Sequence, residues 1–299
     1  MILGFDIGNT STSLGAYRRD CIIPHHLFRY DTAGAGDPAF LEKTIRAFVN
    51  SPGTVPETPV EGFVFSSVVT EVNRAYHEVA RNAFGLDALE IGCGIAMNIS
   101  LNYGNPEMLG PDRIVNTAAA RHLYGGDCVI IDMGTATTVS VLLAYGVFDG
   151  GIIAPGVGIT MEALSRKTSK LVEVPLEAPP SIVGRNTADC IKSGFFYGWV
   201  SMMEGFVAKI SAHYGRDFTV ILTGGFSRKF AGRLGFPCVI DPLLTMKGIK
   251  VLYDINRPRF PAFITNTNSS VLPQGELKAR PNFASSPISQ QSCNHNSLR

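Results

Sequence analysis

The 299-residue chain is 45% hydrophobic and 17% charged with a formal net charge of +1, so charge announces no nucleic-acid partner and no strongly acidic one, and a small-molecule partner fits better. Its six cysteines (Cys21, Cys93, Cys128, Cys190, Cys238 and Cys293) are scattered without a C-x-x-C pair, which argues against a zinc site or a disulfide framework and for a reducing cytoplasm. The apolar start has no basic leader and no apolar run nears the ~18 residues of a spanning helix, so a soluble cytoplasmic protein without a membrane segment is expected, long enough for two domains.

The first residues, Met1 to Phe5, read as a short buried strand that ends at Asp6 and turns through Ile7, Gly8, Asn9, Thr10, Ser11, Thr12 and Ser13. Glycine lets the backbone turn tightly, and the amide and hydroxyls supply donors for phosphate. A carboxylate facing phosphates is repulsive without a divalent cation or its water shell between them, so Asp6 implies Mg²⁺. The competing reading is an ordinary turn, since Asp, Gly and Asn are common turn residues. Leu14 to Arg18 and Cys21 to Tyr30 are expected to complete an antiparallel meander.

Helical spacing then covers Pro38 to Val49, Ser51 to Pro59 reads as a loop, Gly62 to Val69 as a buried strand, and Glu71 to Phe84 as a helix ended by Gly85. Strand and helix now alternate, which favours an α/β architecture. A polar stretch from Leu101 to Arg113 leads into an alanine-rich helix, Ile114 to Tyr124. Asp112 suits a helix start, but Arg113 is disfavoured at the positive end of the dipole. An Asp-Arg pair beside glycine therefore suggests a site that handles a hydroxyl and an anion together.

Asp127 to Leu142 repeats the opening design: apolar strand, Asp132, Gly134, hydroxyl-rich turn, second strand. Asp6 to Thr12 aligns with Asp132 to Thr138 at an offset of 126 residues. Two such turns a domain apart suggest a duplicated fold whose hairpins converge on one cleft. Beyond them, Phe148 to Gly158 reads as a close-approach loop or hinge, Ile159 to Leu164 as a helix start and Ser165 to Ser169 as a basic loop. A long helix follows from Asn186, with Thr187 as its N-cap or a ligand donor, and Phe218 to Ser227 is a strand ending in Gly-Gly, where a flat ring could lie against the backbone. The histidines His25, His26, His77, His122, His213 and His295 lack metal spacing. The tail from Arg257, rich in Asn, Ser, Gln and Pro, is expected to be disordered.

The motifs D-x-G-N-T at Asp6, N-P-x-x-x-G-x-D-R ending at Arg113, D-x-G-T-A-T-T at Asp132, G-G-x-I-x-P-G at Gly150 and L-T-G-G at Leu222 resemble the type III pantothenate kinases, over roughly residues 1–256. That resemblance implies duplicated RNase H-like domains of the actin-like ATPase kind, here 1–115 and 116–256, with a cleft between them and a tail over 257–299. It implies that Asp6 to Ser13 and Thr135 bind ATP, with Mg²⁺ held at Asp6 through phosphates or water, and that Asp132 holds a monovalent cation, K⁺ or NH₄⁺. Pantothenate would be bound by Tyr103, Gly110, Pro111, Asp112, Arg113 and Thr187, with Asp112 accepting the proton; such kinases are usually homodimers. Pro111 stands where a small residue is usual, which restricts Gly110 and could displace the carboxylate. A regulatory nucleotide-binding protein of the same fold, or a kinase for another small hydroxylated metabolite, are the alternatives.

Overall fold

The computed structural model describes residues 1–54, 58–167 and 173–257, all within one compact unit, Met1–Ala262. The expected disorder of the tail beyond Arg257 and the last residues of the expected basic loop, 168–169, lie outside the described residues.

The chain runs β1 (Ile2–Ile7), β2 (Ser11–Tyr17), β3 (His26–Asp31), α1 (Pro38–Val49), β4 (Gly62–Ser67), α2 (Thr70–Phe84), β5 (Leu89–Glu90), β6 (Ser100–Leu101) and α3 (Pro111–Leu123). It continues through β7 (Cys128–Met133), β8 (Ala136–Leu143), β9 (Val147–Pro155), α4 (Val157–Lys167), α5 (Thr187–Tyr214), β10 (Thr219–Thr223), β11 (Cys238–Ile240) and α6 (Leu244–Asn256). The strands form two sheets, ordered β3-β2-β1-β4-β5 and β11-β10-β7-β8-β9-β6. In each, an antiparallel three-strand meander is extended on one side by two parallel strands: β1 pairs antiparallel with β2 and parallel with β4, as β7 does with β8 and β10, and in the second sheet β6 adds parallel to β9 at the other edge.

Alternation along the central strands explains the layering, because successive side chains of a strand point to opposite faces. Ile2 and Val64 of the first sheet, with Cys128, Ile130 and Ile221 of the second, bury against α3 and α6. Leu3, Phe5, Phe63 and Phe65 point the other way onto α1 and α2, and Val129, Ile131, Val220 and Leu222 onto α5. The α3–α6 layer thus lies between the two sheets. It is closely packed: a Cβ on Gly248 of α6 would come within 2.2 Å of the Val115 carbonyl oxygen of α3. Tyr17 Oη donates to the Met246 carbonyl at 2.7 Å, fastening α6 to the first sheet.

Several elements differ from the sequence expectation. Residues 147–155 form strand β9 rather than a loop, yet close approach is what its glycine serves: at Gly151 (φ +155°) a Cβ would collide with the Val139 carbonyl oxygen and the Arg113 guanidinium. Ser165 to Lys167 belong to α4, not to a loop. The third strand begins at His26 instead of Cys21, and the second at Ser11 instead of Leu14. Helix α3 starts at Pro111 and runs unbroken through the expected division at 115/116. A proline at the first helical position costs no hydrogen bond and brings a suitable φ, and Gly110 before it is extended (φ −55°, ψ 130°) as a pre-proline residue should be.

Candidate active site

Two hairpin turns frame a pocket of about 540 Å³. The β1–β2 turn contributes Asp6, Ile7, Gly8, Asn9, Thr10, Ser11 and Ser13, and the β7–β8 turn contributes Asp132, Gly134, Thr135, Ala136 and Thr138. Neither Gly8 nor Gly134 has the left-handed φ of an obligatory glycine. Their N–H groups close the turns, Gly8 onto the Ser11 carbonyl at 3.2 Å and Gly134 onto the Ala136 carbonyl at 3.0 Å, which leaves the other N–H groups of the turns to meet an anion.

Strand register sorts the hydroxyls. Asp6 pairs with Ser13, and Asp132 with Thr138. The second turn is therefore one residue shorter than the first, and beyond it the constant offset of 126 is out by one: Thr12 corresponds to Thr137, both 0% exposed. Thr12 Oγ1 lies 2.9 Å from Thr32 Oγ1, and Thr32 donates to the Gly8 carbonyl at 2.8 Å. Thr12 thus braces the turn from behind, while Ser11 and Ser13 face the pocket.

Asp112 enters the same pocket from the first turn of α3. Gly110 leaves room for that carboxylate, because a Cβ at that position would stand 2.4 Å from Asp112 Oδ1 and displace it. Asp132 Oδ2 accepts from Asn116 Nδ2 at 2.8 Å, and Asn116 Oδ1 accepts from Thr245 Oγ1 at 2.8 Å. Gly224 (φ +85°) lets the end of β10 close over Asp132, since its Cβ would fall 2.4 Å from Asp132 Oδ1. Gly225 is clear of neighbours and lines the pocket.

Three carboxylates share this space. Burial, reinforced by the charges of Asp132 and Asp112 and opposed by Arg29, raises the Asp6 carboxyl to about 7. Burial and then Asp112 raise Asp132 to about 6, against the hydrogen bond from Asn116. Asp112 is also raised by burial, with the backbone N–H of Arg113 and its guanidinium charge opposing. A site that presses three acids together in this way is complementary to positive charge, and oxygen ligands of this kind suit Mg²⁺ or K⁺. Among the described residues no group of three His, Cys, Asp or Glu side chains is arranged to enclose a metal by itself, so a cation here would share its coordination with substrate oxygens or water.

Six of the expected residues do not line the pocket: Thr12 and Gly110, which support it as described, and Tyr103, Pro111, Arg113 and Thr187. Arg113 is 4% exposed and turns into the second sheet, donating to Ser140 Oγ at 3.2 Å and the Val139 carbonyl at 3.4 Å. Its guanidinium lies over the rings of Tyr103 (5.9 Å) and Phe148 (5.2 Å). Its guanidinium has five N–H donors, more than these two bonds use, so donors remain for an anion. Tyr103 belongs to this second cluster, with its ring edge-on to Phe148. Thr187 is exposed at the start of α5; Asn186, not Thr187, is the N-cap, accepting from the Asp189 N–H at 2.9 Å. Pro111 sets the start of α3 without lining the pocket.

The sequence model of the family described as type III pantothenate kinase matches residues 2–209. The chain belongs to the type III pantothenate kinase family. A type III pantothenate kinase of Geobacillus sp. (strain WCH70) is 36% identical over 256 residues, covering 86% of this chain and 98% of that relative. One from Halalkalibacterium halodurans is 36% identical over 256 residues, 86% of this chain and 100% of the relative. Among solved structures, a protein from Campylobacter jejuni described as a Baf family transcriptional activator aligns with a TM-score of 0.54 at 18% identity, covering 86% of this chain and all of the other. A protein from Sinorhizobium meliloti described as a 2-dehydro-3-deoxygalactonokinase aligns at 0.50 and 15%, covering 87% and 99%. At such identities the likeness concerns the fold alone, a mixed α/β fold.

Sequence reasoning missed Arg29, Arg228, Thr245 and Leu243, which line the pocket of this family member together with Thr138 of the second hairpin and Gly225 of the Gly-Gly strand end, and it missed Asn116. Arg29 comes from β3 through its register opposite Ser13, and its Nε donates to Ser11 Oγ at 2.8 Å. The signal was present only as strand pairing, since nothing in the local sequence His-Leu-Phe-Arg-Tyr marks an anion site.

Proposed function

We propose that the pocket between the two hairpins is where this enzyme phosphorylates pantothenate with ATP to give 4′-phosphopantothenate, the first step toward coenzyme A. The observation that carries the reading is the convergence of Asp6, Asp112 and Asp132 on one pocket of about 540 Å³ framed by two hairpin turns, in a chain whose family is pantothenate kinases.

In this reading the exposed turn Gly8 to Ser11, with Ser13, Thr135 and Arg29, binds the ATP phosphates through N–H, hydroxyl and guanidinium donors. Asp6 would hold Mg²⁺ through the phosphates or water, and Asp132, oriented by Asn116, a monovalent cation, K⁺ or NH₄⁺. When bound, these cations neutralise charge on the transferring phosphoryl oxygens. Gly225 offers bare backbone to the flat base. Asp112 accepts the proton of the pantothenate hydroxyl, which is the step a raised carboxyl at the pocket floor suits. Arg113 supplies a buried positive charge for the anionic substrate, beside Tyr103, and Thr187 would approach it from α5.

The matching strand order of the two sheets and the matching Asp–hydroxyl pairs support a duplicated RNase H-like architecture, divided near 1–115 and 116–256. Helices α3 and α6 are then the shared layer that holds the two halves together. A homodimer and a cytoplasmic location follow the family resemblance; no described helix is long and apolar enough to cross a membrane. The test is direct: purified protein with ATP, Mg²⁺, K⁺ and pantothenate should yield 4′-phosphopantothenate, and normal ATP binding without that product would sink the assignment.

A further inference from the structure

Ser66 and Thr223 are the two buried side-chain hydroxyls without a hydrogen-bond partner among the described residues. They occupy equivalent places. Ser66, at 1% exposure, is the penultimate residue of β4 in parallel register with Asp6, and Thr223, at 0%, ends β10 in parallel register with Asp132. Residues in register on neighbouring strands project from the same face. Ser66 shares its face with Val64, and Thr223 with Ile221, both of which point to the α3–α6 layer; Asp6 and Asp132 face the same way, into the pocket. A buried polar group is normally hydrogen-bonded, and an exception calls for an account. Two exceptions at the same position of both sheets, each next to a strand-end aspartate, call for one account.

Asp132 already has Asn116 as a donor, whereas the Asp6 carboxylate accepts no side-chain hydrogen bond from the described residues. A hydroxyl is the group suited to this place, because it can donate its hydrogen to a carboxylate and keep two lone pairs for a cation or a cation-bound water. We propose that Ser66 and Thr223 are cation-positioning residues, Ser66 for the divalent ion at Asp6 and Thr223 for the monovalent ion at Asp132, each hydroxyl engaging when its cation is bound. This rests on the cation assignments made above. The two hydroxyls lie on different sheets, each beside one of the two aspartates.

The experiment titrates Mn²⁺ by electron paramagnetic resonance in the presence of a non-hydrolysable ATP analogue, and follows the KCl-specific rise in Tm against choline chloride. Ser66→Ala should weaken Mn²⁺ binding on the order of 10–100-fold, the usual effect of losing an outer partner of a metal ligand, and leave the KCl response unchanged. Thr223→Val should do the reverse. Ser66→Thr and Thr223→Ser should restore each. In the absence of cations the Tm of Ser66→Ala and Thr223→Val should not fall, since an unspent hydroxyl contributes no bond; a merely structural role would lower it. Ser66→Cys, with a similar volume and a weak donor, reads the same effect if the alanine variant does not fold. Retention of both cation responses within twofold, or loss of both in either variant, overturns the proposal. If the wild type makes 4′-phosphopantothenate while the variants leave both titrations unmoved, the positioning role fails and the function stands. If the wild type makes none but the titrations move as stated, the reverse holds.

Discussion

Asn116 Nδ2 donates to Asp132 Oδ2 at 2.8 Å, and the amide is itself fixed because its Oδ1 accepts from Thr245 Oγ1 at 2.8 Å. A side chain of α3 thus fixes the aspartate at the end of β7, with α6 holding the amide in its correct orientation. The relay favours the charged form of Asp132 against burial. Asn116→Ala should therefore raise the concentration of K⁺ needed for half-maximal activity about tenfold, in line with the loss of a partner behind a metal ligand, with a smaller change in the KM for ATP. Asn116→Asp should be worse, since it adds a fourth carboxylate to the pocket. Steady-state kinetics over a KCl titration checks both; an unchanged K⁺ response in Asn116→Ala would remove the relay from the cation site.

Asp112→Asn keeps the size of the side chain and removes the proton acceptor, so kcat should fall by ~10²–10⁴-fold while a fluorescent ATP analogue still binds. Gly110→Ala tests the geometry of the same group without touching its chemistry. The new Cβ would stand 2.4 Å from Asp112 Oδ1 and must displace the carboxylate, so kcat should drop while the circular dichroism spectrum stays that of the wild type. If Gly110→Ala left kcat intact, the position of Asp112 in the first turn of α3 would not matter to the reaction.

Much of the pocket was legible in the sequence because its parts are local. A strand, an aspartate, a glycine and a run of hydroxyls are contiguous, and both hairpins followed the pattern. What was not legible depends on register and packing. Whether Thr12 or Ser13 faces the pocket is decided by which residue lies opposite Asp6, and a turn shorter by one residue in the second hairpin moves every later position. Arg29 and Asn116 reach the pocket from β3 and α3, and Arg113 turns away from it because the aromatic rings of Tyr103 and Phe148 and the oxygens of β8 make a better home for a guanidinium. Strand β9 was read as a loop because its glycines suggest turns; Gly151 is small instead because Arg113 and Val139 lie against it, while Gly150 supplies a φ of +76°.

Gly248→Ala should be among the more damaging single-methyl changes. The added Cβ would meet the Val115 carbonyl oxygen at 2.2 Å, and backbone cannot rotate away as a side chain can, so α3 and α6 must separate. Overpacking of this kind costs about 1–3 kcal/mol, or roughly 2–4 °C of Tm for each kcal/mol in a chain of this size. Gly205 of α5, which has no neighbour within 4 Å of such a Cβ, is the control: Gly205→Ala should be neutral or stabilising by up to ~1 kcal/mol. Thermal unfolding of both variants decides the matter, and an equal Tm for the two would mean that the α3–α6 contact yields at little cost.

The strand-end carboxyls make the stability of the ligand-free enzyme depend on pH in a stated direction. An unfolded aspartate titrates near 3.9, whereas in the fold Asp6 is raised to about 7 and Asp132 to about 6. Between those limits the folded state binds more protons than the unfolded one, so stability declines as pH rises. The contribution is full below about pH 4 and is lost progressively as pH climbs through 6 and 7. His25 acts in the opposite sense, because burial and nearby positive charge lower its pKa, so its contribution is present above the unfolded value and lost on acidification. The comparison that isolates the carboxyls is wild type against Asp6→Asn: the wild-type Tm should fall between pH 5.5 and 8 by a few degrees more than that of the variant, a modest figure because both carboxyls keep some contact with water in the pocket. Saturating Mg²⁺ and an ATP analogue should abolish the difference in slope by supplying the positive charge that a proton otherwise provides. Identical slopes for wild type and Asp6→Asn would show that Asp6 is ionised throughout and that its charge is already balanced in the ligand-free protein.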